Sequence, residues 1–327
     1  MEEPDNGRVV AWSQLAHVGA HAGSTDLRPE LAELELDIVR QAFNIAWLYS
    51  RADFEPGLEV ALAKSQWRET CALAGSMAES LMLSSATYIE AVWHSRLIEA
   101  KREPEGMAIA QRYLADNAVD TAVSVGHRLI NFVVRVARTV PSTRELLSTT
   151  SRYSKLGSGY QPFETENRDA WLSLNKSELK ELRKVLPAVH HPAVDLLHVL
   201  VGCPEWQALL GIRSENFHRW RKEHESVIGV DPGSGIGRDI FDYEGKVVGR
   251  SVGGQPRRHT ASDGLTENTT EAAGDGLRVV AETLKNIIED TLEVLPRITG
   301  GYTVEYDGKR LKQGWHNLGR QSAAPDG

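Results

Sequence analysis

The chain has 327 residues, 41% hydrophobic and 25% charged, which supplies a sizeable core and excludes wholesale disorder. A formal net charge of -8 excludes a generally basic nucleic-acid coat, though not a local basic patch. Two cysteines without CxxC spacing, Cys71 and Cys203, exclude a disulfide framework, and no apolar run approaches the ~18 residues of a membrane span.

The acidic start lacks an apolar signal core, and residues 1–28 have little periodicity. They are read as a flexible N-terminal segment of a cytoplasmic protein. Leu31, Leu34, Ile38, Ala42, Ile45 and Leu48 then repeat at helical spacing, predicting a helix over 31–51. Pro56-Gly57 punctuates, and a long helix rich in Ala and Ser follows over 61–101 until Pro104 and Gly106. The stripe of Leu114, Ala118, Ala122, Val125, Leu129, Val133 and Val136 predicts a third helix over 107–138, antiparallel to its neighbours if the breaks are tight connections.

Beyond Pro141 the pattern shortens. The Gly- and Pro-bearing stretch 151–167 reads as a loop; short helices follow over 177–186, capped by Ser177, and over 192–201. Residues 205–210 add a turn or two before Gly211, and helical spacing resumes over 214–225. Asp231-Pro-Gly then breaks the chain, and Ile240, Phe241 and Tyr243 face Val247 and Val248 across Glu244-Gly245-Lys246 as a β-hairpin. After polar residues 253–270, a last long helix runs over 271–298, and Tyr302–Tyr306 is strand-like. The class expected is all-α: a helical bundle over 29–298, with a hairpin-and-loop insertion at 227–270 and a tail at 299–327. Trp67, Trp93, Trp171, Trp206, Trp220 and Trp315 are read as core or interface anchors.

Arg213 and His218 form an Arg-x4-His pair. Spacing alone says little, because Arg183/His190, Arg219/His224 and Arg310/His316 are comparable. Positions five apart also lie about 140° apart on a straight helix. If Gly211 ends the preceding helix and Ser214 caps the next, Arg213 stands before the cap and His218 in the opening turns, beside free amides of 215–217. A helix N-terminus with an adjacent guanidinium is a phosphate site, and an imidazole there moves protons near neutral pH. Asn216, Arg219, Arg221 and Lys222 extend the basic cluster. Alternatively, this is a surface helix with ion pairs such as Glu215/Arg219 and Arg221/Glu225.

Arg213-Ser-Glu-Asn-Phe-His218, followed by a final long helix and preceded by the earlier ones, resembles the HEPN-domain proteins. In that family an Arg-x4-6-His motif opens a late helix of a bundle. The resemblance implies a metal-independent endoribonuclease, a toxin or defence effector, working as a homodimer that pairs two motifs. Arg213 would steady the scissile phosphate, with Ser214, Asn216, Arg219, Arg221 and Lys222 nearby on RNA, and His218 would act in acid–base cleavage through the 2′-hydroxyl. No cofactor or metal is implied.

Asp120, His127 and Asn131 fall within about 40° on the third helix and could line a polar pocket beside His218, or form a solvated or hydrogen-bonded stripe. His190, His191, Asp195 and His198 form a second polar cluster. Gly229-Val-Asp231-Pro-Gly-Ser-Gly is read as a turn and not as a nuclease or dinucleotide strand. Two other readings therefore stand beside the ribonuclease: a non-catalytic helical module binding a protein or ligand, and a metal-dependent enzyme using His127 or the His190–His198 cluster.

Overall fold

The computed structural model describes residues 32–51, 64–99, 107–150, 153, 171–218, 236–253, 265–308 and 310–315, with only the backbone at 215–218 and at several other element ends. Among them are α1 (Asp37–Ser50), α2 (Lys64–Glu99), α3 (Met107–Arg138), α4 (Pro141–Thr149), α5 (Lys176–Val185) and α6 (His191–Gly202). There follow α7 (Pro204–His218), β1 (Ile236–Phe241), β2 (Val247–Gly253), α8 (Leu265–Thr299), β3 (Tyr302–Tyr306) and β4 (Leu311–Trp315). The class is the predicted one, predominantly α with small antiparallel hairpins.

Helices α2 and α3 run antiparallel, as their cross-contacts show. Gln111 Nε2 donates to Ser95 Oγ (2.8 Å), Ser84 Oγ donates to the Ala118 carbonyl (2.8 Å), and Arg128 Nη1 donates to the Ser76 carbonyl (3.2 Å). Arg135 pairs with Glu69, so residue numbers rise along α3 as they fall along α2. Buried Ala74, Ala78, Ala118 and Ala122 keep the two helices close enough for serine hydroxyls to reach the opposite backbone.

Two further helices complete the core. Tyr49 of α1 meets Phe132 of α3 edge-on at 5.5 Å. On α8, Leu277, Val280, Ala281, Leu284, Ile287 and Ile288 recur at helical spacing and are fully buried. Each such Leu, Ile or Val contributes about 1.5–3 kcal/mol through burial.

Several boundaries differ from expectation. Glu35 takes a left-handed φ of 58°, which stops helical continuity, so α1 starts at Asp37 and not at 31. The cap of α5 is Asn175, whose side chain accepts from the Glu178 amide (2.9 Å), and Ser177 lies inside the helix. Pro141 occupies the first turn of α4, a helix the sequence pattern did not reveal. Helix α8 begins at Leu265, inside the stretch read as polar loop.

The tail also folds back as a hairpin. β3 pairs with β4, with Tyr302 opposite Trp315, and the buried Tyr302 ring meets Trp315 edge-on at 5.3 Å. In the predicted hairpin, Phe241 pairs with Val247 and Gly245 takes a φ of 79°, while Asp242 Oδ1 accepts from the amides of Glu244 and Lys246. The 227–235 run, with Asp231, lies outside the described residues, as does Trp220. Trp67 and Trp206 are core residues, whereas Trp171 and Trp315 are exposed. No helix of the described residues is long and apolar enough to cross a membrane.

Candidate functional site

Helix α7 is continuous from Pro204 to His218, and this changes the leading motif. Gly211 does not end a helix, and Ser214 caps none. A glycine costs a helix only about 1 kcal/mol, and here it is outweighed by packing on both sides. Trp206 and Leu209 are fully buried before it, and Ile212 packs on the core after it. In a continuous helix the amides of 215–217 bond carbonyls four residues earlier, so the expected N-terminal phosphate cradle is absent. Arg213 and His218 stand near the end of α7, about 140° apart around its axis.

What fixes the face of α7 is a pair of glycine contacts. A Cβ at Gly126 of α3 would lie 2.2 Å from Trp206 Cη2, and a Cβ at Gly276 of α8 would lie 2.4 Å from Leu209 Cδ1. The missing side chains let the indole and the leucine seat directly on those helices. Seven residues beyond Trp206, within about 20° of the same face, comes Arg213. It therefore also faces α3, and its Nε lies 4.0 Å from Asp120 Oδ1, with both side chains about a third exposed (36% and 35%). Arg213 also acts on His127, whose pKa is lowered chiefly by burial and secondarily by this guanidinium. Asp120 and His127 thus lie beside Arg213, while the His218 side chain, beside which this stripe is expected to line a pocket, lies outside the described residues.

The α3 stripe has a second partner, the extended segment 171–174. Asn131 Nδ2 donates to the Leu172 carbonyl (2.8 Å) and to the His127 carbonyl (2.7 Å), while its Oδ1 accepts from the Leu172 amide (2.9 Å). His127 Nδ1 accepts from the Leu174 amide (3.1 Å), which fixes the neutral tautomer with its proton on Nε2. One further helical turn along, the Arg135 guanidinium lies 4.5 Å from the centroid of the Trp171 ring. The match is geometric: four helical residues rise about 6 Å, close to the roughly 6.7 Å spanned by two extended residues. Asn131, 1% exposed, is thus a fastener for this segment and not an open pocket wall.

Between α2 and α3, beside Trp171, lies a cavity of about 220 Å³ that the sequence reading missed. Its polar lining is Glu69, Ser76, Arg128, Arg135 and Trp171, and Ala72 and Leu73 complete the wall. Arg135 pairs through Nε with Glu69 Oε1, and both side chains are only 4% exposed. The other oxygen, Glu69 Oε2, is buried with no hydrogen-bond partner. Arg128 gives Nη1 to the Ser76 carbonyl and to Ser80 Oγ, and its pKa is lowered by burial, with Glu79 acting against the shift. Deeper on α3, Arg138 is 2% exposed, and its Nε and Nη2 lack partners. Burial brings its pKa down to about 10 against the pull of Glu69. The legible signal was the row Arg128, Asn131, Arg135, Arg138, whose members interrupt an otherwise apolar helix face.

The histidine cluster does not assemble a metal site. His190 is buried, with its pKa lowered to about 4 by burial and by neighbouring His191. His191 Nε2 contacts the Leu186 carbonyl (3.0 Å), and Asp195 pairs with Arg183. Among the described residues no group of three or more His, Cys, Asp or Glu could hold a metal ion, at His127 or at the His190–His198 cluster.

Ser214 is exposed on α7. The side chains of Asn216 and His218 lie outside the described residues, as do Arg219, Arg221 and Lys222 in full. Comparison with protein-family models, with curated proteins and with solved structures gives no match.

Proposed function

We propose that the protein is a metal-independent endoribonuclease of HEPN type that acts as a homodimer. The observation that carries this reading is the place of Arg213: about a third exposed near the end of α7, beside Asp120 and the neutral His127. At 4.0 Å and a third exposed, the Asp120 carboxylate holds the guanidinium weakly, by about 0–1 kcal/mol. An RNA phosphate offers a bidentate, charge-assisted grip and displaces it.

Position 218 lies about 140° around the same helix from position 213, a separation at which one protomer does not offer both residues to one phosphate. A second copy does, with two α7 ends converging on one RNA strand. There one His218 takes the proton of the 2′-hydroxyl as its oxygen attacks phosphorus. The other His218 gives a proton to the departing 5′-oxygen, and the products are a 2′,3′-cyclic phosphate and a 5′-hydroxyl end.

The test is cleavage of a mixed RNA pool by the full chain in the presence of a chelator. Wild type should cleave, and His218→Ala should lose activity by a factor of about 10² or more. Unchanged cleavage by the variant would exclude His218 as the proton carrier, and loss of wild-type cleavage on chelation would exclude a metal-independent reaction.

A further inference from the structure

The cavity between α2 and α3 has the features of a ligand site independent of the ribonuclease reading. It lies around Arg128 and Arg135, roughly 12 Å or more along α3 from Asp120. At about 30 Å³ per water, its 220 Å³ holds the equivalent of roughly seven waters, the size of a small metabolite.

Three observations define what fits. Two guanidiniums, Arg128 and Arg135, line the cavity with one carboxylate, Glu69, while a second carboxylate, Glu79, acts on Arg128 from outside the lining. Arg135 is committed to Glu69 and Asn131, whereas Arg128 gives only Nη1 to the protein in hydrogen bonds, so the unused donors are at the Arg128 end. At the other end the buried Glu69 Oε2 lacks a donor. Glu69 and Ser76 are two helical turns apart on α2, as are Arg128 and Arg135 on α3, about 10 Å of axis. Between them Trp171, 45% exposed, presents an aromatic edge or face at the rim.

We infer that this cavity binds a small, flat organic monoanion with its acidic group at Arg128 and a hydroxyl or N–H donor at its far end on Glu69 Oε2. The anion takes the unused Arg128 donors in charge-assisted hydrogen bonds, and the donor satisfies the orphaned carboxylate oxygen. The planar body lies along Ala72, Leu73 and Trp171.

The probe is 4-hydroxybenzoate, which carries both groups at opposite ends of a ring, compared with benzoate, which lacks the donor, and phenol, which lacks the acid. Binding to the full chain is followed by calorimetric titration and by the shift in unfolding temperature. The inference expects 4-hydroxybenzoate to bind about tenfold or more tighter than either comparator. Arg128→Gln should weaken it by a similar factor. Ala72→Phe, which fills the cavity without touching a charge, should abolish binding while the variant still unfolds cooperatively. No binding at ~1 mM, equal binding of the three compounds, or binding undisturbed by Ala72→Phe would overturn it. Because neither RNA nor His218 enters the assay, its outcome is separate from that of the cleavage experiment.

Discussion

Arg213 of α7 and Asp120 of α3 face each other at 4.0 Å, two helical turns beyond the point where Trp206 is seated against Gly126. The pair is long and about a third exposed, so its contribution to stability is small, about 0–1 kcal/mol. Asp120→Asn should therefore leave the unfolding midpoint nearly unchanged. It should also tighten RNA binding, because the carboxylate competes with phosphate for the guanidinium. Weaker binding in an RNA titration would mean that Asp120 positions Arg213 and does not compete for it.

Asn131 fastens Leu172 to α3 through both its amide groups. Asn131→Ala leaves the Leu172 amide and carbonyl without these partners in a part-buried contact. At about 1–3 kcal/mol for each unsatisfied group, the expected loss is roughly 2–6 kcal/mol. Urea unfolding monitored by tryptophan fluorescence measures it, and a loss below about 0.5 kcal/mol would contradict the fastening role.

Gly126→Ala introduces a Cβ at 2.2 Å from a buried indole carbon, a contact that cannot exist without movement of Trp206 or α7. The helix gains propensity from alanine, about 1 kcal/mol, but overpacking outweighs it, and a net loss of about 1–3 kcal/mol is expected. Since Trp206 sets the face that carries Arg213, RNA cleavage should fall together with stability. Gly211→Ala, where a Cβ meets nothing, should stabilise the same helix and leave cleavage intact.

His190 gives the fold an acid-sensitive element. The unfolded chain protonates this imidazole near its ordinary 6.5, the folded chain only near 4, so between these values the unfolded state holds the extra proton. The stabilisation is complete above about 6.5 and lost as pH falls through about 4. At about 1.4 kcal/mol per unit, its ceiling is roughly 3 kcal/mol. His190→Leu removes it, so the stability of the variant relative to wild type should rise by up to that amount as pH is lowered across the window. Parallel pH profiles for the two proteins would contradict the assignment.

Much of the fold was legible because its helices are long and periodic. The bounds of α3 follow from its apolar stripe, and those of α6 from Pro192 near its start and the Gly202–Pro204 break near its end. Legibility failed where tertiary contacts overrule local signals. Gly211 reads as a breaker in isolation, yet Trp206, Leu209 and Ile212 packing on either side carry the helix through it. The capping role given to Ser214 failed with it. The stripe of His127 and Asn131 was visible, but not its partner, because nothing local announces that 171–174 lies against it. The α2–α3 cavity escaped for the same reason: Glu69 and Arg135 are far apart in sequence and meet only when the helices pair.

In the proposed reaction Arg213 holds the phosphate of an RNA cleaved through its own 2′-hydroxyl. The most direct measurement is single-turnover cleavage of a labelled single-stranded RNA, without metal, by wild type and Arg213→Ala, alongside the same oligonucleotide with 2′-deoxyribose throughout. Wild type should cleave the RNA, Arg213→Ala should lose activity by a factor of about 10² or more, and the deoxy strand should stay intact. Full activity in Arg213→Ala, or cleavage of the deoxy strand, would contradict it.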